Sequence, residues 1–341
     1  MTCKVVAEIS ANHLGSFNRA CNIVDAAKAA GAHAVKLQTW ATGTMVLDPT
    51  LVVGGGPWAG QHMADIYDTG LLPWKTQAEV FRYAKAIGIE CFASVFDLEA
   101  LQYLELLDCP RYKIASFELV DLPLIRAVAA TGKPIILSTG MAYKEEITDA
   151  VETARRAGAK DITLLKCTSA YPTPPDQANL ATMASMARLW DVKAGLSDHT
   201  QGIGVAVAAA ALGASMIEKH VTMARADGGP DATFSIEPRE LARLVEEVAR
   251  AEHCMGSAAA YGPTHDEKPH VALRRSLHFA TDLAAGTTIG RAHVCTARPA
   301  NGLPPRLLGS VVGAKTTADV HRGDPVSYRV IERQMRVAVP T

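Results

Sequence analysis

Short runs of β-branched and aliphatic residues alternate along the chain with longer stretches whose apolar positions recur at helical spacing. The runs at Val5–Ala11, Ala34–Trp40, Glu90–Phe96, Arg111–Ser116, Pro134–Gly140, Ile162–Ala170, Lys193–Thr200 and Met216–Met223 predict eight strands. Between them, Asn18–Ala30, Thr76–Ile87, Leu122–Ala130, Glu145–Ala157 and Ile203–Leu212 predict amphipathic helices, and Arg239–Glu252 closes the eighth unit. Gly31, Gly88, Gly132, Gly158 and Gly213 stand where helices must stop before the next strand. Glycine ends helices readily because it takes the left-handed conformation without a Cβ clash. Strands joined through helices pair in parallel, since each crossover returns the chain in the same direction. Eight such units in about 250 residues predict an α/β protein built on a (β/α)8 TIM barrel. A doubly wound open sheet competes with that reading, but Asn12-His13-Leu14-Gly15 is no Gly-rich phosphate turn.

The texture changes after the last helix. Residues 1–257 read as the barrel, 258–273 as a linker, and 274–341 as a small C-terminal module of short apolar pieces and turns. The turns include Arg298-Pro299-Ala300-Asn301-Gly302 and Gly323-Asp324-Pro325. A β-rich module of this size sits below the range where a single core is comfortable, so it is expected to dock on something.

Composition narrows the picture. With 34 Lys and Arg against 35 Asp and Glu, the net charge of −1 removes the usual electrostatic case for nucleic acid or an anionic membrane. The apolar share of 48% rules out wholesale disorder, and the longest apolar stretch, Gly202 to Ile217, is too short to span a bilayer comfortably. Seven scattered cysteines without CxxC spacing, and no signal peptide, point to reduced thiols in a cytoplasm.

Barrel chemistry collects at the C-terminal ends of the strands, and polar residues of this chain concentrate there. Lysines on four even-numbered strands (Lys36, Lys113, Lys166 and Lys219) favour a functional cluster, because alternate strands share layers inside a barrel. Strand alternation excludes Lys219 if His220 faces inward. Lys36 and Lys113, with the hydroxyls of Ser94, Ser116, Ser138 and Ser197, form a candidate cradle for a phosphate or carboxylate. His199 and His220 lie 21 residues apart, one crossover plus a strand, which places both at neighbouring strand ends. Two imidazoles with no evident carboxylate partner suit a divalent manganese or zinc ion with open positions. The other nine histidines are taken as local hydrogen-bonding residues. Glu8 and Glu118 are candidates for acid–base work or hydroxyl recognition, and equally for structural pairing with Lys36 or Lys113. Asp231, in the turn after the eighth strand, reaches the barrel mouth on one reading and needs no function on the other.

The motifs Ala7-Glu-Ile-Ser-Ala-Asn-His13, Val35-Lys-Leu-Gln-Thr39, Tyr112-Lys-Ile-Ala-Ser116, Leu137-Ser-Thr-Gly-Met141, Gly195-Leu-Ser-Asp-His-Thr200 and Ile217-Glu-Lys-His220 together resemble the sialic acid (nonulosonate) synthase family. The likeness runs in family order over nearly the whole chain. Arg298-Pro-Ala-Asn-Gly-Leu-Pro304 resembles that family's antifreeze-like SAF domain, a β-clip. Lys166-Cys-Thr-Ser-Ala-Tyr-Pro172 and Arg225-Ala-Asp-Gly-Gly-Pro-Asp231 are most similar to its pseudaminate branch.

The resemblance implies condensation of phosphoenolpyruvate with an open-chain 2,4-diacetamido-2,4,6-trideoxy hexose of L-altro configuration, giving a nine-carbon keto acid and phosphate. It implies that Lys36, Ser94, Lys113, Ser116, Ser138, Ser169 and Ser197 hold phosphoenolpyruvate. His199 and His220 would hold a divalent ion, Mn2+ first and Mg2+ or another ion after it, that polarises the sugar aldehyde. Glu8 would assist the attacking water, and Gln38, Glu118, Tyr171 and Asp231 would hold the sugar. Arg298 would reach the partner's active site in a homodimer, which accounts for the undersized module. Legionaminate or N-acetylneuraminate synthesis is the alternative within this chemistry. A Schiff-base aldolase using Lys113 or Lys166, and a carbohydrate- or ice-binding protein, are the alternatives outside it.

Overall fold

The computed structural model of the protein describes residues 3–332; Met1, Thr2 and positions 333–341 of the expected C-terminal module lie outside the described residues. Eight strands close in sequence order into a parallel barrel. They are β1 (Lys4–Glu8), β2 (Ala34–Thr39), β3 (Glu90–Val95), β4 (Tyr112–Ile114), β5 (Ile135–Ser138), β6 (Ile162–Cys167), β7 (Lys193–Asp198) and β8 (Met216–His220). Most are shorter at the C-terminal end than the hydrophobic pattern suggests. The polar residues there leave the ladder to form the mouth: after Glu8 the chain winds into a 3-10 turn over Ser10–His13.

The helices are α1 (Phe17–Ala29), α2 (Thr42–Met45), α3 (Met63–Thr69), α4 (Trp74–Ile87), α5 (Leu98–Leu106), α6 (Leu122–Ala130), α7 (Lys144–Arg156), α8 (Ala181–Trp190), α9 (Gly204–Ala211) and α10 (Pro238–Cys254). Their starts follow capping chemistry. Ser16 accepts from the Arg19 amide at the head of α1, Asp97 from Ala100 at α5, and Asp121 from Leu124 at α6. At the far end of α4, Gly88 takes the left-handed conformation (φ 74°) that stops the helix. Helices α5 and α8 occupy stretches where no amphipathic segment was named, and α2 and α3 lie in one long excursion between β2 and α4.

A single apolar cluster fills the layer between strands and helices, with Val5, Ile23, Val35, Leu37, Val80, Leu104, Ile125, Ile135, Leu164 and Ile217 all buried. Each such side chain contributes about 1.5–3 kcal/mol on leaving water. Inside the barrel the packing is tight: a Cβ at Gly195 of β7 would stand 2.3 Å from the Met216 carbonyl oxygen of β8. No helix among the described residues is long and apolar enough to cross a membrane, and all seven cysteines are free thiols.

A second compact unit begins at Ser257. Its strands β9 (Ser276–Phe279) and β10 (Val294–Ala297) pair antiparallel, and isolated bridges add short antiparallel contacts. Leu277, Phe279, Ile289, Val294, Val320, Val326 and Ile331 form its small core.

Candidate active site

Every second residue of a strand faces the barrel interior. On β1 that residue at the C-terminal end is Glu8, in register with Lys36 of β2 and His220 of β8. Glu8 is fully buried and ion-pairs through Oε2 with Lys36 Nζ, which donates in turn to Ser94 Oγ at 2.7 Å. On the opposite wall Lys113 Nζ lies 2.9 and 3.1 Å from the two oxygens of Glu218, whose Oε1 is also 3.8 Å from Lys36 Nζ. Ser197 donates to that same oxygen at 3.2 Å. Glu8, Lys36, Glu218 and Lys113 therefore form one chain of alternating charges, neutral as a whole.

Burial sets the electrostatics. It opposes ionisation of Glu218, but the two lysines outweigh it and hold the carboxyl down at about 2. Burial also opposes a charged Lys36, yet Glu218 and Glu8 prevail and raise it; at Lys113 burial wins and lowers the ammonium. Both lysines of the expected cradle already have a glutamate: Glu8 pairs with Lys36, as one of the two sequence readings has it, and Lys113 takes Glu218 in place of Glu8 or Glu118. The other two strand lysines lie off the site, Lys219 as strand alternation implied. Lys166 points away from the interior and donates to the Cys167 carbonyl and Thr168 Oγ1. Lys219 is buried behind the sheet, 2.7 Å from Asp198 Oδ2 and 2.6 Å from the Thr200 carbonyl.

Next to this chain of charges is a set of uncommitted hydroxyls. Ser138 Oγ and Ser169 Oγ are buried without a hydrogen-bond partner, and Ser116 Oγ accepts from the Gly140 amide at 3.1 Å. A Cβ at Gly140 would stand 2.3 Å from Ser169 Oγ and 2.7 Å from Ser116 Oγ, so only glycine leaves the serines this close. Buried hydroxyls almost always find partners. Ser138 and Ser169 keep spare donors here, while the Ser116 hydroxyl faces the Cys167 thiol.

His199 and His220 are both buried, with ring centroids 5.3 Å apart. The Nδ1 of His199 is 3.1 Å from the Thr168 carbonyl. A carbonyl only accepts, so in the neutral imidazole this nitrogen carries the proton and Nε2 keeps its lone pair. The Nδ1 of His220 faces Asp231 Oδ2 at 3.6 Å, and that carboxylate also accepts from the Ala11 amide. Burial opposes the charge on Asp231, but His220 and the Ala11 amide outweigh it and lower its pKa. Cys167 lies beside His199; burial disfavours its thiolate, yet His199 and the Ser116 hydroxyl more than offset that and lower the thiol's pKa. Among the described residues no group of three or more His, Cys, Asp or Glu side chains is gathered as a metal site.

The mouth brings the other candidates together unevenly. Tyr171 tilts over His199 with centroids 4.4 Å apart. Gln38 is half-buried at the end of β2, and Glu118 carries a buried Oε2 without a partner. Burial pushes the Glu118 carboxyl up to about 7, with Asp121 adding to the rise and Lys113 offsetting part of it. Arg298 belongs to the second unit. Sequence reasoning passed over Glu218, although it shares strand parity with His220. It also passed over Phe234, which lies 5.1 Å from both His220 and Tyr171, ring centroid to ring centroid. His13 is buried at the mouth rather than in a surface loop, and burial takes its imidazole down to about 4.

A parallel barrel whose C-terminal strand ends gather paired charges, spare hydroxyl donors and two adjacent imidazoles has the site of a barrel enzyme. The profile of the NeuB family matches residues 23–260, and that of the SAF domain matches 274–329. The pseudaminic acid synthase of Helicobacter pylori is 38% identical over 97% of this chain and 98% of its own length. The N,N'-diacetyllegionaminic acid synthase of Legionella pneumophila is 32% identical over 97% and 95%. The crystal structure of the N-acetylneuraminic acid synthetase of Leptospira borgpetersenii, in complex with citrate, superposes with a TM-score of 0.71 at 30% identity. It covers 80% of this chain and 90% of that one. The protein belongs to the NeuB family and carries a SAF domain at its C-terminal end.

Two predictions follow from the charges. Glu218→Gln keeps the shape and strands the Lys113 ammonium, so urea unfolding should show a loss of about 3–5 kcal/mol. Adding Lys113→Met to that variant should recover most of it, and a single variant as stable as wild type would contradict the pairing. Glu118 works through linkage. Its folded pKa lies above the unfolded value, so stability is full below about pH 4.5 and is lost as pH rises to about 7. Glu118→Gln should therefore gain on wild type between pH 5 and pH 8, by up to about 3 kcal/mol. A gap that does not change with pH would contradict the buried carboxyl.

Proposed function

We propose that this chain condenses phosphoenolpyruvate with an open-chain 2,4-diacetamido-2,4,6-trideoxy hexose of L-altro configuration, forming pseudaminic acid and inorganic phosphate. C3 of phosphoenolpyruvate bonds to the sugar aldehyde carbon, water adds to C2, and phosphate leaves with cleavage of its C–O bond. The observation that carries the reading is the pair of buried, unpartnered hydroxyls of Ser138 and Ser169 around Gly140, beside a lysine pair whose charges are already balanced. Such a site has donors to spare for an anion without a large excess of positive charge when empty.

In this reading Ser116, Ser138 and Ser169 donate to the anion, while Lys36 and Lys113, steadied by Ser94, Ser197 and Glu218, supply charge. Glu8 stands in register with both Lys36 and His220 and accepts a proton from the adding water. Gln38, Glu118, Tyr171 and Asp231 hold the sugar. His199 and His220 fit a divalent ion, Mn2+ in first place. One imidazole has its lone pair set free by the Thr168 carbonyl, and two protein ligands leave the remaining positions to substrate and water. Such an ion supplies Lewis-acid polarisation of the aldehyde oxygen. The aldolase alternative is disfavoured because Lys113 is ion-paired and Lys166 points out of the barrel.

The assembly in this reading is a homodimer in which the C-terminal module of one copy, with Arg298, completes the other copy's site. Its support is the exposed apolar set Phe117, Val120, Met141 and Tyr143 on the two loops after β4 and β5, on the catalytic face.

Phosphate release from phosphoenolpyruvate should require the diacetamido-trideoxy hexose and a divalent ion. N-acetylmannosamine and the gluco-related diacetamido sugar should be poorer acceptors. His199→Ala with His220→Ala should abolish turnover and lose bound metal; an unchanged metal content would contradict the ligand assignment. A chain truncated after Ser257 should keep the barrel's far-UV signature but lose at least 100-fold in activity. Full activity of the truncated chain would contradict the shared site.

A further inference from the structure

We infer that the excursion from Trp40 to Pro73 is a lid over the acceptor side of the mouth, and that Trp58 makes the site select an uncharged, acylated deoxy sugar over a phosphorylated one. The inference rests on the condensation reading and names its acceptor class.

Most of the excursion is exposed, but Trp58 is half-buried. Its indole N–H donates to the Pro230 carbonyl at 2.9 Å, joining the excursion to the loop after β8. Its ring lies 5.2 Å from Tyr171 and 6.1 Å from Phe234, and those two rings pack on His199 and His220. Trp58, Tyr171 and Phe234 thus form an aromatic wall beside the imidazole pair. The lid's base is firm: the Trp40 indole donates to the Tyr67 carbonyl, its ring packs edge-on against Tyr67 and Phe96, and Gly70 lies close against Ala11 and Trp40. Its outer part is a short hairpin in which the Val53 N–H donates to the Gln61 carbonyl and the Gly60 N–H donates to the Val53 carbonyl. Trp58 sits between Gly56 (φ 75°) and Gly60 (φ 81°), where only glycine takes the turn easily.

Charge completes the argument. The excursion from Trp40 to Pro73 contains no lysine or arginine and three aspartates, Asp48, Asp65 and Asp68. The neighbouring arginines are already paired, Arg19 with Asp227 at 2.6 Å and Arg225 with Glu237 and Glu240. Against this wall a phosphate ester would meet aromatic faces, and the excursion itself offers it no lysine or arginine to replace its lost hydration. A methyl or N-acetyl group would meet the surface that suits it.

The test compares kcat/KM for 2,4-diacetamido-2,4,6-trideoxy-L-altrose and for N-acetylmannosamine 6-phosphate in wild type, Trp58→Ala, Trp58→Phe and Trp58→Arg. Wild type should prefer the neutral sugar by at least 100-fold. Trp58→Ala should raise the acceptor KM at least 10-fold and leave the phosphoenolpyruvate KM within twofold, Trp58→Phe should restore most of the loss, and Trp58→Arg should narrow the preference. Turnover by wild type with Trp58→Ala and Trp58→Phe both unchanged, equal use of the phosphate ester by wild type, or a matching rise in the phosphoenolpyruvate KM overturns the lid alone. No turnover by wild type with either sugar overturns the condensation reading and the lid with it.

Discussion

Four charged side chains inside a barrel are tolerated only if each is answered by another, and that condition shapes this protein's centre. Removing an ion from water costs several kcal/mol even after relaxation, and the cost returns only where geometry is good and the remaining polar atoms are used. Glu8, Lys36, Glu218 and Lys113 meet it as a neutral chain, with Ser94, Ser197 and the Ser10 amide taking up other contacts. The partners come from strands β1, β2, β4 and β8, so the chain of charges exists only when the barrel is closed in the right register. Slipping one strand by a residue would turn its charge out toward the apolar helix layer.

That neutrality lets the site stay folded when empty, and it is compatible with the anion of the proposed reaction. Free lysines would repel one another and shift toward their neutral forms. Glutamate partners hold the charge on Lys36 and offset part of the burial cost at Lys113, and the proposed anion would be met by donors that cost little when idle, the serine hydroxyls around Gly140. The imidazoles border this chain, His220 in register with Glu8, and are oriented by the Thr168 carbonyl on one side and Asp231 on the other.

The barrel was legible in the sequence because it rests on local signals: eight apolar runs, the glycines that end helices, and crossovers long enough to demand parallel pairing. The strand-end location of Glu8, Lys36, Lys113, His199 and His220 was legible for the same reason. The Glu8–Lys36 pairing was among those weighed, but the partner of Lys113 was not. Glu218 is 105 residues from Lys113, and pairing across a closed barrel leaves no trace in spacing. Strand parity could have found it, since His220 facing inward places Glu218 inward as well; the same rule applied to Cys167 would have removed Lys166. Trp58 and Phe234 gave no signal, because a tryptophan in a glycine-rich excursion and a phenylalanine in a short turn acquire meaning only from what folds against them.

The division between what was and was not legible follows the division of labour in the fold. Residues on strands are held by the ladder and repeat a pattern, so their chemistry is bound to the architecture. Residues on the loops that roof the mouth are free to change without disturbing the core. In this chain the roof carries the Trp58 ring on an excursion that has no lysine or arginine between Trp40 and Pro73. The strand-end residues that assign the chain to the family cannot by themselves separate one acceptor from another.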